Sequence, residues 1–315
     1  MAVTAKAVAE LRDKTGVGMM ECKKALTEAD GNFDEAVKLL RERGLAVAAK
    51  KSGRIAAEGI VAISKSYHGE GSIPTIAAMI EVNAETDFVA KNEVFQEFVQ
   101  GCLTVILKEK PADVDVLLAK DFGGGLTVGE VLKEKIMQIG ENISVRRFVI
   151  VEGMLSAYVH GGGTIGVIVS VNADDKAAAD GGFSEFTKNL ALQIASMNPL
   201  YVAKENVPQS VIDEENEIIT NLVRNDPDNA KKPEKVLEKM IEGKVNKYYK
   251  DNCLLEQDYV KEDKMTVGDY IRAYAKQTGA DVSVDKFYRF EKGEGLQKRE
   301  ENYAEEIAKL AGGAQ

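Results

Sequence analysis

The sequence has few cysteines and histidines, the residues on which disulfide frameworks, zinc sites and histidine-based catalysis depend. Its 315 residues include three cysteines and two histidines. Cys22, Cys102 and Cys253 lie far apart and form no CxxC pair, so we expect neither a zinc site nor a redox motif, as in a protein of a reducing cytosol. His68 and His160 have no third ligand or nucleophile beside them, so neither a metal centre nor a catalytic triad is predicted.

Long apolar runs are also missing from the chain. No stretch reaches the roughly eighteen apolar residues that a membrane-spanning helix requires, and the first residues open into a helical pattern without the apolar centre of a signal peptide. We therefore expect a soluble cytoplasmic protein without membrane attachment. A net charge of −10 argues against direct nucleic-acid binding, which needs a basic face, and leaves a basic or neutral protein partner open.

A phosphate-binding loop of the Walker A type is absent as well. The string Gly161-x-Gly163-x-x-Gly166 matches a dinucleotide-binding fingerprint, but that fingerprint opens a helix, whereas the segment 167–171 that follows here, in which every residue but Ser170 is β-branched, predicts a strand. We interpret the glycines as a turn between two strands. No cofactor, metal ligand or catalytic residue is predicted.

The most informative feature that is present is a unit that occurs twice. Each copy contains a histidine with a glycine-rich turn, an apolar stretch that ends in Val-Asn-Ala, and a Phe-x-Glu-Phe segment. These segments lie at 68–71, 82–84 and 95–98 in the first copy and at 160–163, 171–173 and 183–186 in the second. Because the unit occurs twice, a residue that the fold requires should appear in both copies. A residue that appears in only one copy is a candidate for a functional role.

Only the first copy continues into the tetrad Thr86-Asp87-Phe88-Val89. One interpretation is structural, with Thr86 or Asp87 capping a helix and Phe88 packing on its first turn. The missing counterpart in the second copy favours a functional role. A ring beside a carboxylate on a rigid corner would form a wedge, in which the ring displaces side chains and the acid repels phosphate or competes for a cation.

The remaining pattern predicts an α+β fold. We expect three short helices that end at Gly44, a solvated basic linker at 46–54, and one inward and one exposed side chain among Met19 and Met20. The other predicted elements are hairpins at 59–66 with 75–83 and 155–159 with 165–172, helices at 93–107, 128–139, 185–196, 267–277 and 301–310, strands at 144–152 and 286–291, and two long helices within 208–250. The strand at 144–152 is expected to begin the second copy, and the apolar seams of the long helices suit either a core or a dimer contact.

Three motifs in order resemble the translation elongation factor Ts family, over nearly the whole chain. The first is the segment from Leu11-Arg12 through Thr15-Gly16-x-Gly18-Met19-Met20 to Leu26, the second combines Glu81-Val82-Asn83 with Thr86-Asp87-Phe88-Val89-Ala90-Lys91, and the third is Gly140-Glu141-Asn142-Ile143 followed by Arg146-Arg147. The resemblance implies a ubiquitin-associated-like three-helix module with its linker at 1–54, two similar α+β core subdomains with antiparallel sheets, a protruding antiparallel helical hairpin and a C-terminal helical module. The corresponding ranges are 55–143 for the first subdomain, 144–207 and 251–296 for the second, 208–250 for the hairpin and 297–315 for the C-terminal module.

The same resemblance implies a partner and an activity. The partner is elongation factor Tu, GDP-bound or nucleotide-free, and the activity is guanine-nucleotide exchange, with GDP released and the factor ejected when GTP binds. It implies that Thr86, Asp87, Phe88 and Val89 dislodge magnesium in the partner, that Arg12, Met19 and Met20 contact its nucleotide domain, and that Ile143 and His160 lie near the contact with its third domain. A homodimer and a 2:2 complex stay open. Two alternatives are an enzyme that binds a cofactor at the glycine-rich turns and a scaffold that binds elongation factor Tu without accelerating nucleotide release.

Overall fold

The computed structural model describes residues 3–67 and 73–297. His68 and the predicted C-terminal helix at 301–310 lie outside these ranges. Within them, no helix is long and apolar enough to cross a membrane.

Three helices form a small N-terminal unit, α1 (Ala5–Thr15), α2 (Met19–Glu28) and α3 (Phe33–Lys51). The hydroxyl of Thr4 accepts a hydrogen bond from the backbone N–H of Ala7 at 3.2 Å, which confirms the predicted start of α1. The buried core of this unit consists of Val8, Leu11, Val17, Cys22, Ala25, Leu26, Ala29, Ala36 and Leu40.

The predicted end of α3 at Gly44 is wrong, because the helix continues into the range 46–54 that was predicted to be a linker, although most residues of that range are exposed as expected. The helix continues to Lys51, and Ala48 is 9% exposed and joins the core of the first sheet. Alanine has the highest helix propensity, and its small side chain lets α3 approach the neighbouring layer closely. The alanine-rich stretch therefore carries the N-terminal helices directly onto the body of the protein.

The first copy forms a three-stranded antiparallel sheet in the order β1-β2-β5. Its elements are β1 (Glu58–Tyr67), β2 (Pro74–Ala84), α4 (Asp87–Ala90), α5 (Glu93–Glu109), α6 (Val114–Leu118), β3 (Asp121–Gly123), β4 (Leu126–Thr127), α7 (Val128–Ile139) and β5 (Ile143–Glu152). Helix α5 buries Phe95, Phe98, Leu103 and Ile106 in the core that this sheet shares with α7. The predicted hairpin at 59–66 with 75–83 and the predicted helices at 93–107 and 128–139 are confirmed.

The second copy forms a sheet of the same kind in the order β6-β7-β8. Its elements are β6 (Met154–His160), β7 (Ile165–Ala173), α8 (Asp175–Ala179), α9 (Phe183–Met197), α10 (Gln209–Asn225), α11 (Glu234–Asn252), α12 (Val267–Thr278) and β8 (Val282–Glu291), with short 3-10 turns at Lys204–Asn206, Pro227–Asn229 and Leu254–Glu256. The glycines at 161–163 lie in the turn between β6 and β7, as the turn interpretation predicted.

The strand at 144–152 completes the first sheet instead of opening the second copy. β5 pairs antiparallel with β2, and Ile143 lies opposite Ala84. In the same way β8 pairs with β7, and Val282 lies opposite Ala173. A strand's hydrophobic pattern does not specify which sheet edge it joins, which is why its partner was assigned wrongly.

The repeat extends to the helix that precedes each third strand. Both α7 and α12 begin with a capping box, formed by Thr127 with Glu130 and by Thr266 with Asp269. Both end at a left-handed glycine, Gly140 with φ 84° and Gly279 with φ 64°. Each copy therefore runs hairpin, short helix, long helix, capped helix and third strand.

The two sheets pack face to face through a small apolar layer of buried side chains. This layer consists of Val61, Ala77, Met79, Val151, Leu155 and Ile168. Gly166 permits the close approach, because a Cβ there would lie 2.5 Å from Cγ1 of Val61 and 2.8 Å from Sδ of Met79. The N–H of Val61 also donates to the carbonyl of Gly163 at 2.8 Å, which joins the two hairpins directly.

A buried carboxylate joins the first sheet to the turn after β8. Glu81 is 0% exposed and accepts hydrogen bonds from Arg146 at 2.9 Å, from Arg147 at 2.6 Å and from the N–H of Gly293 at 2.8 Å. Burial by itself raises the pKa of Glu81, but the hydrogen bonds from Gly293 and the two arginines outweigh it and hold that pKa below its usual value.

Candidate functional site

The tetrad lies on an anchored corner at the end of β2. The chain passes from Ala84 through Glu85 and Thr86 into α4, and Asn92 then caps α5 by accepting from the N–H of Val94 at 2.9 Å. Val89 is 6% exposed and belongs to the core of the first sheet. Because one side of this single helical turn is buried, the residues on its other side face outward.

Phe88 is the outward-facing residue of the turn. Its side chain is 79% exposed, the largest exposed fraction among the large apolar side chains of the residues described. The interpretation in which Phe88 packs on the first turn of its helix is therefore wrong. An apolar ring held in water on an anchored corner contributes little to the core and is accessible to another molecule.

Asp87 and Lys91 add two charges beside the ring. The ammonium of Lys91 lies 2.9 Å from a carboxylate oxygen of Asp87 and 5.9 Å from the centre of the Phe88 ring. The hydrogen bond from Lys91 lowers the pKa of Asp87 below its usual value, so this carboxylate is ionised at neutral pH. The corner thus presents a ring, an anion and a cation together.

The N-terminal helices lie next to this corner. A cleft of about 370 Å³ separates the turn between α1 and α2 from α4, and its lining includes Gly16, Phe88 and Gln138. Gly16 has φ 66°, and a Cβ there would lie 2.2 Å from Nε2 of Gln138. The turn after α1 therefore packs closely on the end of α7, on the side where the tetrad is exposed.

Met19 and Met20 begin α2, and both point into solvent. Their side chains are 52% and 65% exposed, so the prediction that one of them points inward is wrong. Val17, at 6% exposed, already closes this end of the N-terminal core. Arg12 is exposed on α1, and its carbonyl accepts from the N–H of Gly16 at 2.7 Å. All three residues assigned to this module by resemblance are thus at its surface.

His160 and Ile143 lie in different sheets. His160 is exposed at the end of β6, where its Nδ1 lies 2.9 Å from the hydroxyl of Tyr158. Ile143 begins β5 and is 2% exposed within the core of the first sheet. A direct contact from the Ile143 side chain stays a prediction that its burial disfavours.

Residues 140–142 hold the tetrad corner in place, a role that sequence reasoning missed. Thr86 donates its backbone N–H and its hydroxyl to the carboxylate of Glu141 at 3.0 and 2.7 Å. Glu85 accepts from the N–H of Asn142 at 2.6 Å, and the Asn142 side chain donates to the carbonyl of Arg54 at 2.8 Å. The motif Gly140-Glu141-Asn142-Ile143 was the available signal, but nothing in the sequence linked it to the tetrad.

The described ranges contain no group of three or more His, Cys, Asp or Glu placed to hold a metal. Cys22, Cys102 and Cys253 are buried and unpaired with one another. Burial raises the pKa of the Cys102 thiol to about 12. Each cysteine thus behaves as a small core residue, and none is exposed as a nucleophile.

Known proteins resemble the chain along its whole length. A family model named Elongation factor TS matches residues 85–294. The chain belongs to the elongation factor Ts family. Elongation factor Ts of Clostridioides difficile (strain 630) is 46% identical over 309 residues, which cover 98% of each chain. The protein of the same name from Clostridium botulinum (strain Alaska E43 / Type E3) is 46% identical over 313 residues, 98% of this chain and 99% of that one. That of Clostridium kluyveri (strain NBRC 12016) is 43% identical over 312 residues, 98% of each.

The range that matches the elongation factor Ts family model contains the whole tetrad corner. It includes Thr86 to Val89, the turn at 140–142 and both helices α10 and α11. The N-terminal helices lie before it, and the full-length relatives cover them. The family assignment therefore extends to the cleft between these helices and the tetrad.

Proposed function

We propose that this chain releases GDP from elongation factor Tu by inserting the turn Thr86–Val89 into the partner's nucleotide domain and dislodging magnesium. The role of a nucleotide exchange factor for elongation factor Tu in translation elongation follows from the family. The observation that carries the proposed mechanism is the 79% exposure of Phe88 on a turn that Val89 anchors to the core. No covalent bond is made or broken in this mechanism.

Burial of the Phe88 ring can supply enough binding free energy to accelerate GDP release. Burying a phenylalanine side chain stabilises a complex by about 1.5–3 kcal/mol. GDP bound at nanomolar affinity has about 12 kcal/mol of binding free energy, and each 1.4 kcal/mol removed at release speeds escape roughly tenfold. Burial of Phe88 in the partner would therefore offset enough distortion of the nucleotide site to accelerate release by about ten- to a hundredfold.

Asp87 adds an electrostatic contribution. It is ionised at neutral pH, because the hydrogen bond from Lys91 lowers its pKa. Near the partner's nucleotide, this carboxylate would repel phosphate oxygens or compete with them for the magnesium ion. Lys91 would be free to pair with an acidic group of the partner once Asp87 is engaged.

The N-terminal module supplies the second part of the contact with the nucleotide domain. Met19 and Met20 are exposed at the start of α2, and Gly16, in the turn just before that helix, lines the cleft that borders Phe88. Methionine side chains are flexible and polarisable, so they suit a surface that must stay in contact while the partner changes shape. Arg12 offers a charge on the same module. His160, on the second sheet, is the proposed contact with the partner's third domain, and the start of β5 at Ile143 is proposed to lie near that contact.

Exchange requires a reciprocal coupling between nucleotide and factor. If this protein weakens GDP binding by a given factor, GDP weakens the hold of this protein on its partner by the same factor. GTP binding then ejects the protein from elongation factor Tu, and the cycle can start again. We expect it to act in the cytoplasm without direct contact with nucleic acid.

Two finer features of the fold belong to the same proposal. We propose that α1–α3 form a ubiquitin-associated-like module and that α10 and α11 form a protruding hairpin. An ion pair between Arg224 and Glu234 joins these two helices across their connection, and Ile219 is buried while Leu222 is 63% exposed. This exposed apolar surface suits either the hairpin's partner contact or a dimer seam, so a homodimer and a 2:2 complex both stay predictions.

Release of fluorescent GDP from purified elongation factor Tu tests the mechanism. We expect the wild-type chain to accelerate release strongly and Phe88→Ala to lose about ten- to a hundredfold of the maximal rate while still binding. Leu200→Ala is the matched control, because Leu200 is also an exposed apolar side chain, at 60%, and lies outside the tetrad corner. Unchanged release with Phe88→Ala would remove the wedge from the mechanism. Binding of the wild type without acceleration would identify a scaffold, and a bound chromophore in the purified protein would favour a cofactor enzyme.

A further inference from the structure

The internal duplication shows which contacts at the tetrad corner the fold needs. Glu85 follows Ala84 in the first copy, and Asp174 follows Ala173 in the second. Glu85 accepts from the N–H of Asn142 at 2.6 Å, and Asp174 accepts from the N–H of Asp281 at 3.1 Å. Each acceptor thus holds the residue just before the third strand of its own sheet. Because both copies have this contact, it belongs to the fold.

The short helices that follow are held in different ways. In the second copy Asp174 caps α8 by accepting from the N–H of Ala177 at 3.0 Å. In the first copy Thr86 occupies the N-cap of α4 but its side chain makes no capping bond. Its hydroxyl and its backbone N–H donate instead to Glu141, at 2.7 and 3.0 Å.

Glu141 has no carboxylate counterpart in the second copy. Val282 corresponds to Ile143, since each begins the third strand opposite the alanine that ends the central strand. Counting back two residues places Ala280 at the position of Glu141. Ala280 has only a methyl side chain, so the second copy folds without this contact. The bonds from Thr86 to Glu141 therefore occur only in the copy that has the tetrad.

The turn that carries Glu141 is itself held in place by other contacts. Gly140 ends α7, and its carbonyl accepts from the ammonium of Lys51 at the end of α3. Asn142 is 7% exposed and holds the carbonyl of Arg54 at 2.8 Å. The same turn thus contacts the tetrad on one side and the last turn of the N-terminal helices on the other.

We propose that Glu141 is a positioning residue that holds the turn Thr86–Val89 in the orientation needed for nucleotide release. This inference rests on the proposed function. Phe88 is 79% exposed, so packing of the ring itself does little to orient it. Two hydrogen bonds to one carboxylate, which are stronger than neutral ones, limit the rotation of α4 on its corner. The ring then meets the partner without an ordering cost at the moment of contact.

Removal of the Glu141 carboxylate should reduce the maximal rate of GDP release more than it reduces the affinity for elongation factor Tu. Val89 still anchors one side of α4 to the core, but without Glu141 the Thr86 end of the turn would occupy further orientations, and the observed rate of GDP release would fall with the fraction in the productive one. Loss of hydrogen bonds to a charged acceptor shifts the equilibrium between the productive orientation and the others by about tenfold or more. Met19, Met20 and His160 would still bind the partner, so the concentration for half-maximal exchange should change by less than about twofold.

The experiment measures GDP release from elongation factor Tu over a range of concentrations of the full chain. Glu141→Ala should lower the saturating rate about tenfold, and Glu141→Gln should restore part of it, because the amide can still pair with Thr86. Asp174→Ala is the control for general loss of stability, since it removes a carboxylate that holds the third strand and the short helix in the copy without the tetrad. It should leave the saturating rate within about twofold of the wild type.

A second variant tests whether Glu141 acts through Thr86. If it does, the saturating rate of GDP release for the double variant Thr86→Val with Glu141→Ala should be little lower than that for Glu141→Ala alone. If the two residues act independently, the two reductions in rate should multiply instead. A wild-type saturating rate with Glu141→Ala, or an equal loss with Asp174→Ala, would overturn the proposal. So would a change confined to the half-maximal concentration. If the wild-type chain itself fails to accelerate release, the proposed function fails, and this outcome is separate from the Glu141 result.

Discussion

The buried carboxylate of Glu81 allows the junction between the two copies to be tested by a single substitution. Glu81→Ala would leave Arg146 and Arg147 without their common acceptor and would free the N–H of Gly293 inside the protein. Removal of one member of a buried ion pair costs about 3–5 kcal/mol, because the remaining charge stays desolvated. The two arginines here are 24% and 31% exposed, so water can reach them and the lower end of that range is expected.

Urea unfolding monitored by circular dichroism measures this cost as a fall in the transition midpoint. Glu294→Ala is the matched control, since Glu294 pairs with the same Arg147 at 3.3 Å but is 44% exposed. An exposed pair of this kind contributes about 0–1 kcal/mol. A loss below about 1 kcal/mol for Glu81→Ala, or equal losses for both variants, would refute the assignment of Glu81 as the junction.

The pH dependence gives an independent check on Glu81. Its pKa in the folded protein is lowered from the usual 4.5, so the unfolded chain binds the proton more tightly. The contribution of Glu81 is therefore fully present above the unfolded pKa and is lost as the pH falls through the folded pKa. The difference in stability between the wild type and Glu81→Gln should shrink as the pH is lowered below about 4.5. A difference that grows in acid would contradict the sign of this shift.

Two further predictions follow from the packing. Gly166→Ala should destabilise the contact between the sheets by about 1–3 kcal/mol, since the new Cβ would meet Val61 at 2.5 Å, whereas Gly181→Ala, which meets nothing within 4 Å, should have little effect in the same urea assay. Cys102 should resist alkylation at neutral pH in the native protein and react on unfolding, because it is buried and its pKa is raised to about 12; rapid native labelling, located by mass spectrometry, would contradict its burial.

The repeat was the part of the fold that the sequence predicted best. The two hairpins, the helices after them and α7 and α12 lie where the periodicity placed them. These are long, strongly patterned elements, for which local physics and tertiary packing agree. Strand β5 was assigned to the wrong copy, because pairing is a long-range property and its hydrophobic pattern suits either sheet. The end of α3 was misplaced because Gly44 resembles a helix terminator, while burial of Ala48 extends the helix.

The candidate site was predicted in part. The absence of the tetrad from the second copy predicts a functional role for Phe88, and its 79% exposure is compatible with that prediction. Met19 and Met20 were expected to differ, yet both are exposed, since Val17 fills the core position that one of them was expected to take. The contact of Glu141 with Thr86 spans 55 positions of sequence, and no local pattern predicts a pair at that separation.

Differences between the copies separate into two kinds once the corresponding residues are compared. Glu81 corresponds to Ser170, and both sheets have an irregularity in register just after that position. Ser170 interacts within its own sheet, with Asp285 at 3.4 Å, whereas Glu81 holds the turn after β8 of the other copy. Glu81 thus differs from its counterpart because it joins the copies. Glu141 differs from Ala280 for another reason, because its carboxylate holds only Thr86 and the exposed turn that follows. The chain therefore uses one carboxylate that occurs only in the first copy to join its two sheets, and a second, Glu141, to hold the exposed turn that we propose meets elongation factor Tu.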